Sequence, residues 1–497
     1  MSSLFVENIL NNRGTAIKGE PDLSYDDLRS GSEKMAEFLL SEKGNLKGKT
    51  VLSFLRPGEE YLYAMLGTWL AGGVFVPMPV SYPLSELAHY VKDSQSDILL
   101  TSFSDLKKEL PDSFPFLQIG FVDRIVADKN IGHNQGVDIK EDDKALMIYT
   151  SGTTGKPKGV VHTFGSIKSQ VDTLIEAWKW EKSDYIINPL PMHHIHGIVN
   201  ITLCALTIGA KVEFFKFNKS ELFDKLRKMG STVFMAVPTI YRKLINEFES
   251  RDSKQQEDFT NACQSMRLMV SGSAALPISV LKRWEDISGH FLLERYGMSE
   301  TGMVLSNEYE GERFEGMVGK PLNGIDVKIA VEEGEENTGE LLVKGNQLFK
   351  EYWNKPEATA NAFDQDGWFK TGDRVVVSEN GVYKILGRYS VDILKVGGYK
   401  ISAKDIEEVL RKHEFVKDAA VVGIPNEEYG EVIAAAIVFD DKHNEGKYLS
   451  MLKDYALLHL ARHKIPQIWQ RVEQLPQNAM GKVVKPEVKA LIRQSLN

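Results

Sequence analysis

Short apolar runs rich in β-branched residues alternate with longer amphipathic stretches along most of this chain. Thr50 to Phe54 reads as a strand, Glu59 to Leu70 as a helix and Val74 to Pro77 as a strand again. Ser85 to Lys92 then reads as a helix and Ile98 to Thr101 as a further strand. The same rhythm returns around Ala210–Phe215, Thr232–Val237 and Leu268–Ser271. Strands alternating with helices predict an α/β fold, with parallel-rich sheets covered by helices on both faces. Near Gly387 the pattern changes. Gly381–Leu386 reads as a closing strand, followed by a helix at Asp405–Lys412 and strands at Asp418–Gly423 and Ile433–Phe439. A helix at Tyr448–His459 completes a small α+β unit of about a hundred residues, an ordinary domain size. No fixed-period repeat or low-complexity tract interrupts the pattern.

Composition narrows the classes. A chain of 497 residues can bury a large core, and 42% hydrophobic with 26% charged residues is ordinary for a globular protein. A net charge of −9 leaves no basic surplus for nucleic acid or for an anionic membrane surface. Cys204 and Cys263 are too few and too isolated for a disulfide framework or a zinc site, and read as small buried apolar residues. Met1 to Asn12 has Glu7 and no early Lys or Arg, unlike a secretory or transit signal. No apolar run approaches the roughly eighteen residues of a membrane span. The expectation is a cytoplasmic protein, or an organellar one from which an address has been removed. Oligomeric state is not legible.

Tyr149–Gly159 packs three glycines, two lysines and four hydroxyl residues after the tyrosine into eleven positions. Glycines let backbone N–H groups face a ligand, hydroxyls donate, and lysines neutralise charge, a combination suited to the β- and γ-phosphates of ATP. It is not a Walker loop. Only two residues separate Gly152 from Gly155, and Pro157 follows Lys156.

This stretch resembles the signature of the acyl-adenylate-forming enzymes, which include acyl-CoA synthetases. The resemblance continues at Glu294–Thr301, Gly367–Asp373, Gly387–Arg388 and Asn478–Lys482, so it spans nearly the whole chain. It implies a large N-terminal domain over 1–387, a hinge at 388–390 and a mobile C-terminal lid over 391–497. It also implies the chemistry. A carboxylate attacks the α-phosphate of ATP, pyrophosphate leaves, and the acyl-AMP then meets the thiol of CoA. The protein has little acid–base work there; it must position anions and stabilise charge on the transferring phosphate.

Carried onto this sequence, the resemblance assigns Thr150, Ser151, Gly152, Thr153, Thr154, Gly155 and Lys158 to the ATP phosphates. Tyr296, with Gly297 and Met298, is expected against adenine, and Ser299 at the α-phosphate. Glu300 is expected to hold Mg2+, which prefers few carboxylates plus phosphate oxygens. Asp373 is the expected ribose ligand and Arg388 its companion. Lys482 is expected to bridge the acyl carboxylate and the α-phosphate during adenylation. Gly397, Gly398, Tyr399 and Lys400 match the loop lining the pantetheine tunnel of CoA. Ser390 departs from the Asp or Lys usual at the hinge; hinges need permissive backbone rather than a given charge.

The acid is read from other residues. His193, His194 and His196 invite a metal reading, but no Cys, Asp or Glu lies nearby, and an extended loop would point His193 and His194 to opposite sides. The resemblance instead sets His194 at the mouth of the acyl pocket, beside the reacting carboxylate. His196 is open between the pocket floor and a satisfied core histidine, and Ser271 is a further candidate for the acyl pocket. Arg295 stands where enzymes for fatty or aryl acids commonly carry glycine. A guanidinium there fills the space of a long chain and needs a carboxylate partner. That predicts a substrate with a second carboxylate a few bonds from the first, which describes malonate, unless Arg295 pairs internally with Glu294. Glu294–Met298, Leu190–Gly197, Val237–Tyr241, Val270–Pro277 and Glu351–Pro356 are together similar to the malonyl-CoA synthetase subgroup, including those acting on methylmalonate, with Glu351-Tyr352 where many relatives have Gly-Tyr. The competing expectations are a short- or medium-chain fatty acyl-CoA synthetase with Arg295 turned aside, an adenylation enzyme loading a carrier protein, and a non-catalytic nucleotide-binding protein.

Overall fold

The apolar runs form strands buried along their whole length, as at Thr50–Phe54 and Val74–Pro77, and the helix Glu59–Leu70 crosses between them. They pair in parallel, with Val51 opposite Phe75. A computed structural model describes residues 3–81, 84–103, 117–128, 137–150, 157–228, 230–331, 334–396, 399–426, 429–440, 446–478 and 481–496. Among the described residues the strands form sheets of nine, seven, five and four strands.

Helix ends are fixed by local chemistry. Ser24 and Asp27 form a reciprocal capping box at the start of Tyr25–Lys43, and Pro238 opens Pro238–Glu249 at a position that has no helical N–H partner to lose. Burial then holds the layers together. Trp69, Trp178 and Trp284 are wholly buried, and burying a large apolar side chain contributes about 1.5–3 kcal/mol. Their polar edges are matched: Trp69 Nε1 donates to the Ala145 carbonyl at 2.7 Å, and Trp178 Nε1 to Ser306 Oγ at 3.0 Å. Cys204 and Cys263 are free and buried, as their isolation predicts. Among the described residues no helix is long and apolar enough to cross a membrane.

Two differences from the sequence reading stand out. First, Ile325–Val331, Thr338–Gly345, Phe369–Val377 and Tyr383–Arg388 form a wholly antiparallel sheet, where the pattern offers only the last strand. Second, the strands Val416–Asn426 and Gly430–Phe439 run longer than their apolar centres, because antiparallel pairing extends from Ala420↔Ala436 out to Asn426↔Gly430.

The site is set by the nine-stranded sheet. Tyr185–Asn188, Val233–Ala236, Leu268–Ser271 and Leu293–Met298 lie side by side in parallel. Their carboxyl ends therefore open on one side, where α/β sheets bind ligands. Beyond residue 390 the chain has apolar clusters of its own, around Leu394, Ile406 and Ile437 and around Ala420, Val488 and Ile492.

Candidate active site

On the nucleotide side, strand pairing sets Asp373 directly opposite Arg388. Arg388 Nε donates to Asp373 Oδ1 at 3.1 Å and Nη2 to Oδ2 at 3.3 Å, a bidentate fork. Tyr296 Oη donates to the same Oδ2 at 2.6 Å. Burial, with the Asp373 charge, pushes the Tyr296 phenol well above its ordinary pKa, so it stays a donor. Gly297 and Met298 continue the Tyr296 strand, and His162 Nε2 lies 2.7 Å from the Ser299 carbonyl oxygen at the turn that follows.

Glu300 sits at that turn, buried, with Tyr352 Oη donating to Oε1 at 3.0 Å. Burial raises the Glu300 pKa, opposed by hydrogen bonds and by the Arg388 and Lys158 charges. With Tyr352 on one carboxylate oxygen, this single buried carboxylate fits Mg2+, which takes few carboxylates. Lys158 Nζ stands 5.1 Å from the Tyr352 ring centroid. Thr150 and Lys158 face each other across an antiparallel pair. Ser151, Gly152, Thr153, Thr154 and Gly155 lie outside the described residues.

The acid side is built differently. Arg295 is 4% exposed and lies in the same strand as Tyr296. Its Nη2 donates to Ser273 Oγ at 3.3 Å, its Nε has no partner, and no carboxylate pairs with it among the described residues. Burial without a counter-ion pushes its pKa down to about 9. Ser273, held at φ +69°, also lies 3.2 Å from His196 Nδ1. Burial, then the Arg295 charge, keep the His196 pKa well below its usual value. A neutral ring that accepts at Nδ1 carries its hydrogen on Nε2, which is buried without a partner, as is Ser271 Oγ. Gly272 makes the arrangement fit: a Cβ there would stand 2.5 Å from Arg295 Cζ. The expected alternative partner, Glu294, is not engaged. Successive strand residues face opposite sides, and burial raises the Glu294 carboxyl to about 8.

One sequence expectation is corrected. His193 and His194 do not point apart; their ring centroids are 4.2 Å from each other. The chain turns at 190–194 instead of extending, then enters a π-helix, His196–Leu203, a rare form concentrated at functional sites. Burial lowers the His194 pKa to about 4, so it is neutral near pH 7.

Lys482 reaches the same cleft from the far end of the chain. Asn478 Oδ1 accepts from its backbone N–H at 3.0 Å, and the preceding Gly481, at φ +74°, closes on Thr239: an added Cβ would lie 3.0 Å from Thr239 Oγ1. The Lys482 side chain keeps solvent access, yet its pKa is lowered by desolvation and then by the Lys404 and Arg388 charges. Gly397 and Gly398 lie outside the described residues, and the Tyr399 and Lys400 backbone pairs with Val396 and Lys395.

Local sequence gave Tyr352, Gly272 and Ser273 no individual role. Tyr352 is an aromatic beside a turn, and its contact with Glu300 crosses fifty-two positions. Ser273 shows its importance only through its backbone angle and two partners, neither visible in one dimension.

The AMP-binding enzyme family matches residues 11–353, and the AMP-binding enzyme C-terminal domain matches 405–482. A malonate–CoA ligase of Arabidopsis thaliana is 41% identical over 498 residues, covering 93% of this chain and 81% of that protein. ATP-bound MatB from Rhodopseudomonas palustris superposes with a TM-score of 0.91 at 29% identity, over 100% of both chains. A malonyl-CoA ligase ternary product complex with methylmalonyl-CoA and AMP gives 0.67 at 34% identity, over 94% of this chain and 97% of that one.

Proposed function

The chain belongs to the AMP-binding enzyme family, and from that premise we propose that it ligates malonate to CoA at the expense of ATP, through malonyl-AMP, releasing AMP and pyrophosphate. The observation that carries the choice of acid is Arg295: a buried guanidinium with a free Nε, no carboxylate partner among the described residues, and a neutral histidine, His196, that shares Ser273 with it. A buried cation left unpaired is costly, and a carboxylate matches its fork. Malonate supplies one carboxylate to Arg295 and keeps the other for reaction; methylmalonate does the same.

The roles of the remaining residues are part of the proposal. Asp373, pre-set by Arg388 and Tyr296, receives the ribose hydroxyls. Thr150, Ser151, Gly152, Thr153, Thr154, Gly155 and Lys158 hold the phosphates, with Ser299 at the α-phosphate. Glu300 would hold Mg2+, which would supply positive charge beside the phosphates. His194 and Ser271 line the acid's approach. Lys482 draws the reacting carboxylate and the α-phosphate together, so that oxygen attacks phosphorus as pyrophosphate departs.

Residues 391–497 are proposed as a lid that turns about 388–390, bringing Gly397, Gly398, Tyr399 and Lys400 to a CoA tunnel for the second step. Its separate apolar clusters support this reading. So does the better overlap with an ATP-bound structure than with a product complex of higher identity. Gly398→Leu is expected to stop malonyl-CoA formation while sparing malonate-driven pyrophosphate exchange. A cytoplasmic location is proposed from the two free, buried cysteines; cell fractionation tests it.

The test of the function is pyrophosphate release with CoA present over malonate, methylmalonate, succinate, acetate, butyrate and octanoate. Malonate or methylmalonate should lead. Preference for butyrate or octanoate would refute the assignment.

A further inference from the structure

Helix Pro238–Glu249 makes two contacts with residues beyond 400. Thr239, in its first turn, packs against Gly481 beside Lys482. Arg242, three residues on and so on the same face, donates from Nη1 to Asp418 Oδ2 at 3.2 Å. Asp418 is itself fixed: its Oδ1 accepts from Arg411 Nε at 3.1 Å, and Arg411 Nη2 donates to the Ala419 carbonyl at 2.6 Å. The Asp418 side chain is 15% exposed and that of Arg242 37%. An anion held rigidly on one side therefore meets a single cation reaching from the other, next to the point where Lys482 enters the cleft.

We propose that Arg242 is a positioning residue for adenylation. Acting through Asp418, it seats the lid on helix Pro238–Glu249 so that Lys482 is delivered to the carboxylate and α-phosphate. The inference rests on the reading of 391–497 as a mobile lid. Two orientations of one lid compete for the same chain, so a contact made in only one of them shifts the balance by its own free energy. A partly exposed ion pair is worth up to about 1 kcal/mol, or roughly fivefold in that balance.

Two partial reactions test it: malonate-dependent ATP–pyrophosphate exchange, and malonyl-CoA formation from supplied malonyl-AMP. Arg242→Ala should lower exchange about three- to fivefold and leave the second reaction within about twofold. Arg242→Lys should recover most of the loss. Asp418→Asn, which approaches the contact from the lid, should give the same split, and the double variant should be no worse than the worse single variant. Equal losses in both reactions, no loss in either, or losses that multiply in the double variant would overturn the proposal. Lys482→Ala separates the two levels of failure. If that variant keeps full exchange, the lid reading itself is wrong; if it is crippled while Arg242→Ala is normal, only the seat is wrong.

Discussion

The two halves of the cleft handle buried polar groups in opposite ways. On the nucleotide side they are matched within the protein: Asp373 takes three donors from Arg388 and Tyr296, and Glu300 takes Tyr352. On the acid side they are left open, with Arg295 Nε, His196 Nε2 and Ser271 Oγ all buried and unpaired. Unpaired buried groups cost stability, and here Ser273, just past the strand Leu268–Ser271, joins Arg295 of the next strand to His196. On the proposed reading, the satisfied half is a preorganised frame for the nucleotide, and the unsatisfied half selects the acid, because a ligand with the right charge completes it.

Changes that strip charge from the transferring phosphate should hurt most. Lys482→Ala should slow adenylation by about two to three orders of magnitude and spare thioester formation from supplied malonyl-AMP. Single-turnover rates of the two steps check this. Gly272→Ala should come next. It leaves every polar group in place but drives a methyl into the Arg295 guanidinium, so kcat/KM for malonate should fall about tenfold. Pyrophosphate exchange with butyrate should change little. Ser273→Ala removes one neutral bridge between Arg295 and His196, and malonate kcat/KM should fall about threefold to tenfold.

Glu294→Gln should do least to activity, within about twofold, because successive strand residues face opposite sides and Glu294 faces away from Arg295. It should change stability with pH instead. The folded carboxyl titrates near 8, above its unfolded value, so the folded state holds the extra proton between those values and wild-type stability falls as pH rises through that window. The Tm advantage of Glu294→Gln should therefore grow from pH 5 to pH 8. A constant difference would show that Glu294 is not buried as a neutral acid.

The same contrast explains what was legible in sequence. Tyr296, Glu300, Asp373 and Lys482 are in motifs that resemble those of the acyl-adenylate-forming enzymes, and the alternating pattern gave the parallel strands Val233–Ala236 and Leu268–Ser271 beside the strand of Tyr296. The carboxyl-end geometry that collects Ser271, Ser273, Arg295 and His196 depends on strands far apart in sequence lying side by side. Arg295 was visible as an odd residue for its position, but whether Glu294 satisfied it could be settled only in three dimensions. The antiparallel sheet around Thr338–Gly345 escaped because its partly exposed strands lack a continuous apolar run. The paired rings of His193 and His194 escaped because a turn replaced an extended segment.

The central claim is that Arg295 awaits the second carboxylate of the substrate. The most direct measurement is the ratio of kcat/KM for malonate to that for butyrate, in the wild-type protein and in Arg295→Gly. A charge-assisted bond to a buried carboxylate is worth about 1.5–3 kcal/mol. Malonate efficiency should fall roughly ten- to a hundredfold, while butyrate, which offers the guanidinium nothing to hold, is unharmed or improved. The ratio should drop by at least the same factor. An unchanged ratio would mean that Arg295 serves the fold and not the acid, and the malonate assignment would lose its physical basis.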